Sequence, residues 1–190
     1  MSIFPTPSGP EKVTYQGKII EVVEQPMKIG EKSLTFEFAR RAPGTRLIIP
    51  TSDGKIILTK EYRPEIKGYD YRLPGGKVFD TLKEYNSFLK TNGDIKAKAR
   101  EAAVKEAREE VALIASDAEL FGISKCGTTV EWDLYYFVIN SYTKEAQQDL
   151  EAGENITIVP TTLAEAKKMC LNGSIQEERS ALMLLRYLNK

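Results

Sequence analysis

The order of apolar and polar positions predicts short strands with a few separated helices. Residues 32–41 read Lys-Ser-Leu-Thr-Phe-Glu-Phe-Ala-Arg-Arg, alternating with the two-residue period of a strand. Ahead of them, residues 13–23 carry two β-prone segments, Val-Thr-Tyr and Ile-Ile-Glu-Val-Val, on either side of Gly17, and Gly30 falls where the chain must turn. These strands are expected to form a small antiparallel unit. Runs over 46–50 and 55–60 are also strand-like, joined by the hairpin signal Ser52-Asp53-Gly54. Further strands are expected over 119–125, 132–140 and 155–159, the last stopped by Pro160.

Helical spacing appears in four places. Apolar groups at 82, 85, 88 and 89 predict a short amphipathic helix, capped by Asp80 or Thr81 and followed by Gly93. A main helix is expected over 95–111 behind an Asp94 cap. Ala112 stands where a terminating glycine is expected, so its last turn is expected to run on. Residues 162–171, capped by Thr161 or Thr162, and 176–188, with Leu182, Leu185 and Leu188 inward, complete the set. The Pro- and Gly-rich start, 1–12, is expected to be extended or loose, and the polar segment 144–153 a loop or a brief helix. The mixture is α+β or a three-layer α-β-α sandwich.

A chain of 190 residues holds one domain, or one with a small appendage. Its 27 basic and 27 acidic residues cancel, which argues against a broad nucleic-acid surface. No apolar run reaches membrane-span length and the start has no signal-peptide character, so a cytoplasmic protein is expected. Cys126 and Cys170 are too few for a disulfide scaffold or a zinc site and are expected to be partly buried thiols. The absence of histidine removes Ser-His and Cys-His nucleophiles and His-rich metal sites. Hydrolytic chemistry would then need carboxylates or a metal on oxygen ligands, which favours Mg²⁺ or Mn²⁺.

The stretch 73–113 concentrates the candidate chemistry. It opens with Leu73-Pro74-Gly75-Gly76 and closes with Lys105-Glu106-Ala107-Arg108-Glu109-Glu110-Val111-Ala112-Leu113. Glu106, Glu109 and Glu110 stand at i, i+3 and i+4, which gathers three carboxylates on one helical face. A divalent cation would offset their repulsion; so would solvent and neighbouring Lys or Arg.

These pieces resemble the Nudix box, Gly-x5-Glu-x7-Arg-Glu-U-x-Glu-Glu-x-Gly-U with U aliphatic. Lys105 replaces the box Arg and Ala112 its Gly. Gly76 and Lys105 are 29 positions apart where the box has 14, so the box's first Glu has no clear counterpart and an insertion falls at 77–94. The order of Glu61-Tyr62-Arg63, the glycine turn, the helix and Gly153-Glu154-Asn155-Ile156 is similar to the ADP-ribose and nucleoside-diphosphate-sugar pyrophosphatase branch. The resemblance implies a Nudix-type α-β-α sandwich with a mixed sheet over 45–190, preceded by an N-terminal strand unit over 1–44 that serves dimerisation.

It further implies Mg²⁺ on the Gly75 carbonyl, Glu106 and Glu110, with Glu109 sharing a metal or placing water and Lys105 orienting a box glutamate. Glu154 would be the general base, with Glu151 as fallback; a solvated loop charge is the other reading of Glu154. Arg63 would contact phosphate, and Gly76 would allow close approach. Phe36, Glu37 and Arg41 would bind adenine, although strand alternation alone makes Phe36 a core residue. Glu131 lies in a substrate-side loop. The implied function is metal-dependent cleavage of ADP-ribose or a related nucleotide sugar by a homodimer, without nucleic-acid or membrane partners. A triphosphate-cleanup pyrophosphatase and a non-catalytic nucleotide-binding module are the alternatives.

Overall fold

The computed structural model describes residues 4–145, 147–151 and 153–190. Residues 1–3 of the expected loose start, and 146 and 152 of the expected 144–153 loop, lie outside them. The chain divides into two compact units, one of Met1–Pro43, Phe79–Gly93 and Lys125–Asp133, the other of Gly44–Val78, Asp94–Ser124 and Leu134–Lys190.

In the first unit, β1 (Thr6–Pro7) and β2 (Lys12–Gln16) flank β3 (Ile20–Ile29), which pairs along its whole length with β4 (Lys32–Arg41). Gly30, at φ +59°, supplies the positive φ that a two-residue hairpin loop needs at its first position. The start is thus partly a strand, since Thr6 and Pro7 pair with Lys28 and Met27. Helix α1 (Leu82–Leu89) belongs to the same unit. Thr81 and Glu84 form a capping box at its start, and Leu82 and Tyr85 are buried. Charge is buried here as well: Glu21 is fully enclosed, with Arg40 Nη1 at 3.4 Å and Asn86 Nδ2 at 2.9 Å.

In the second unit, β6 (Lys55–Arg63) lies between β7 (Gly68–Arg72) and β13 (Ile156–Thr162), all antiparallel. β5 (Gly44–Ile48) runs parallel to β11 (Leu134–Val138), which pairs antiparallel with β9 (Glu119–Ser124), and the short β8 (Leu113–Ala115) pairs antiparallel with β12 (Tyr142–Lys144). Helix α2 (Ile95–Val111) presents Ala99, Ala103, Ala107 and Val111 to Leu47, Ile49, Ile57, Tyr135 and Phe137. An alanine every fourth residue is a smooth stripe, so the helix lies close on the sheet. Between Tyr135 and Phe137, Tyr136 points the other way, and its hydroxyl lies 3.3 Å from Ser180 of α4 (Glu178–Leu188). Helices α3 (Leu163–Leu171) and α4 pack together, with Ala166, Met169, Ala181 and Leu184 buried. Helices on opposite faces of a mixed sheet make this unit the α-β-α sandwich that was expected.

Four local expectations are corrected. β13 continues through Pro160, which pairs with Ile57; an edge strand tolerates the missing N–H. α2 does not run on: Ala112 ends it in the left-handed region, at φ 54° and ψ 43°. The buried stripe of α4 is rotated from the expected one, for Leu182 is 51% exposed while Leu184 is fully buried. Cys126 is exposed, and only Cys170 is partly buried.

Candidate active site

The turn at Gly75-Gly76 is fixed by β5. Leu47 N–H donates to the Pro74 carbonyl at 2.8 Å, and Thr45 N–H to the Gly76 carbonyl at 2.9 Å. Between these two bonds the Gly75 N–H turns away from β5 and donates to Glu110 Oε2 at 2.7 Å. Gly75 sits at φ +139°, and a Cβ there would come 2.9 Å from Arg46 Cα. Gly76 is tied to the other glutamate, because a Cβ on it would overlap the Glu106 carboxylate. Glu106 and Glu110, four residues apart on α2, therefore both face the turn.

Burial is the first cause of their unusual electrostatics. It pushes Glu106 up to about 7, helped by the charge of Glu109 and opposed by Lys105. Burial likewise pushes Glu110 up to about 8, opposed by the Gly75 N–H and Arg46 and reinforced by Glu106. The charge of Glu154 raises both.

Glu109 accepts from Lys105 Nζ at 2.9 Å, an i, i+4 pair in which the lysine is exposed and the glutamate half-buried. Glu154 is half-buried and accepts from the Glu151 N–H at 2.9 Å, while Glu151 itself is exposed. Arg63 pairs with Glu61 at 2.6 Å. Among the described residues, no three His, Cys, Asp or Glu side chains converge into a ready-made metal cage.

Among the charged groups that the sequence pattern does not single out is a buried arginine. Arg46 is only 7% exposed, and its Nε donates to Glu177 Oε2 at 3.0 Å. Ser180 donates to the same oxygen at 2.6 Å. Although burial works against it, the attraction of Arg46 and the Ser180 bond hold Glu177 below the usual carboxylate range. The available signal was a lone arginine heading the apolar run Arg-Leu-Ile-Ile.

The remaining candidates belong to the first unit. Phe36 is 44% exposed on β4, so it is not the core residue that alternation allowed, and Glu37 beside it is exposed. The Arg41 guanidinium lies 4.5 Å from the Trp132 ring centroid. Glu131, on β10 (Val130–Glu131), accepts from Arg40 Nε at 2.7 Å. Arg40 and Glu131 line a cavity of about 350 Å³ together with Glu11, Phe38, Lys125 and Thr128.

No protein-family model matches the chain. A solved structure described as an ADP compounds hydrolase superposes with a TM-score of 0.69 at 18% identity, covering 98% of this chain and 95% of that one. The likeness shows a shared fold. A curated UPF0319 protein of Histophilus somni (strain 2336) is 36% identical over 80 residues, 42% of this chain. The matched stretch is 34% of that protein, so the chain spans about a third of its length.

Proposed function

We propose that this chain hydrolyses the diphosphate linkage of ADP-ribose or a related nucleoside diphosphate sugar, in the manner of a Nudix pyrophosphatase. The reading rests on the pair of buried glutamates, Glu106 and Glu110, held against a glycine turn. Two carboxylates with little compensating charge fit a divalent cation, and Mg²⁺ in particular uses one or two carboxylates beside substrate phosphates and water. Gly75, Glu106 and Glu110 would hold Mg²⁺ or Mn²⁺. Such a cation supplies electrophilic neutralisation of the diphosphate oxygens.

The chain's own groups do the rest. Glu154 takes the proton of the attacking water as its oxygen bonds to phosphorus, and the phosphoryl–oxygen bond to the leaving phosphate breaks. Glu109 positions that water, with Lys105 holding Glu109, and Arg63 binds phosphate. The fold shared with an ADP compounds hydrolase supports the substrate class. Val13, Tyr15, Ile19 and Phe36 lie exposed in the strand unit and support a homodimer, which sedimentation at micromolar concentration tests.

The decisive assay couples ADP-ribose turnover to a phosphatase and follows phosphate release with and without Mg²⁺. Absence of any metal-dependent product across a panel of nucleotide sugars removes the proposal.

A further inference from the structure

β6 and β7 place four charged side chains on one face. Thr59 pairs with Arg72, Glu61 with Asp70 and Arg63 with Gly68. Strand alternation sends Glu61, Arg63, Asp70 and Arg72 to the side of Ile57, the side on which α2 packs. Each arginine holds a carboxylate: Arg63 Nη2 meets Glu61, and Arg72 Nε donates to Asp70 Oδ2.

The second pair is built differently from a surface ion pair. Asp70 is 2% exposed, and its Oδ1 is buried without a hydrogen-bond partner. Enclosing a carboxylate that is only half satisfied costs stability, so a fold that merely needed a solvated arginine would gain by omitting it. The Arg72 side chain remains partly exposed, and its two Nη groups meet no partner among the described residues. A guanidinium pinned at Nε with both Nη groups open is oriented to donate two N–H bonds to one oxyanion. Arg72 also lies three positions before Gly75, on the strand that leads into the glutamate turn.

We propose that Arg72 is a substrate-binding residue that grips a phosphate of the diphosphate, and that Asp70 is its positioning residue. The proposal rests on the diphosphate reading above.

The test titrates inorganic pyrophosphate into the full chain and into Arg72→Gln, Arg72→Lys and Asp70→Asn, with thermal melts alongside. Arg72→Gln is expected to weaken binding at least tenfold. Arg72→Lys should recover only part of the loss, because charge returns without the fork, and Asp70→Asn should weaken binding severalfold with the arginine still present. In turnover of ADP-ribose, the KM of Arg72→Gln rises at least tenfold while kcat stays within threefold; a purely structural role would lower kcat and melting temperature together. If Arg72→Gln does not fold, Arg72→Lys decides. Binding unchanged in the folded variants, or no pyrophosphate binding by the unaltered chain, overturns the proposal. A chain that hydrolyses nothing yet binds pyrophosphate through Arg72 would instead refute the enzymatic reading alone.

Discussion

Gly75 N and Glu110 Oε2 lie 2.7 Å apart although 35 positions separate them in the chain. That bond fastens the C-terminal half of α2 to the turn and aims a buried carboxylate at backbone. Next to it, Gly76 meets Glu106. The two contacts make the turn and the helix one rigid feature, and most of what can be tested follows from them.

Gly76→Ala should be the most informative small change. One methyl group there would overlap the Glu106 carboxylate, the far end of a flexible side chain, and push it aside at little cost to the fold. Metal-dependent turnover is expected to fall at least a hundredfold, with Mg²⁺ affinity reduced in direct titration. Wild-type turnover in a folded Gly76→Ala variant would show that Glu106 is not held where the reaction needs it.

Glu106 and Glu110 also set a pH signature for the metal-free protein. Both carboxyls have folded values, about 7 and about 8, above the 4.5 of an unperturbed glutamate. Between those limits the native state keeps protons that the unfolded chain releases. Stability therefore falls as pH rises from about 4.5 towards 8, by at most about 1.4 kcal/mol per unit for each group. Thermal melts without metal should decline over that range, and Glu110→Gln should decline less. Added Mg²⁺ should raise the melting temperature more at pH 8 than at pH 6. A wild-type profile no steeper than that of Glu110→Gln would contradict the assignment.

Much of this arrangement could be read from the chain, and the exceptions share a cause. α2 was legible because Asp94 caps it and its apolar stripe is regular. The Glu106–Glu110 pairing follows from helical spacing alone. Arg46 was hidden because its partner, Glu177, lies 131 positions away at the start of α4. Asp70 and Arg72 were hidden because their strand is short and pairs with β6, so only the register reveals which face they share. The orientation of α4 was misjudged by periodicity, since Leu182 and Leu184 are chemically alike and only packing against the sheet distinguishes them. Local rules thus gave the elements, while the charged contacts between distant elements required coordinates.

Ala112 offers a stability prediction with no bearing on chemistry. Its left-handed φ of 54° is unfavourable for a residue with a Cβ and natural for glycine. Ala112→Gly should relieve that strain, partly offset by the greater entropy of an unfolded glycine, for a net gain of roughly 0.5–1 kcal/mol. Urea unfolding measures it, and activity should not change. A loss of stability would mean that the Ala112 methyl, which is largely buried, contributes more through packing than the strain costs.

Arg40 carries the last prediction. Three carboxylates surround it: Glu131 and Glu11 each at 2.7 Å, and the enclosed Glu21 at 3.4 Å. Glu131 and Glu11 are partly exposed and can turn to water if the arginine is lost. Glu21 cannot, and the neutral amides of Asn86 and Gln16 do not cancel its charge. Arg40→Met is therefore expected to destabilise the fold by about 3–5 kcal/mol, the usual result of stranding a buried charge. Replacing both members, with Glu21→Leu added, should recover much of that loss, because an apolar pair of similar volume carries no desolvation penalty. A double-mutant cycle in urea measures the coupling. Additive losses, with no recovery in the double variant, would mean that Glu21 is stabilised by its other neighbours and that Arg40 serves the surface carboxylates instead.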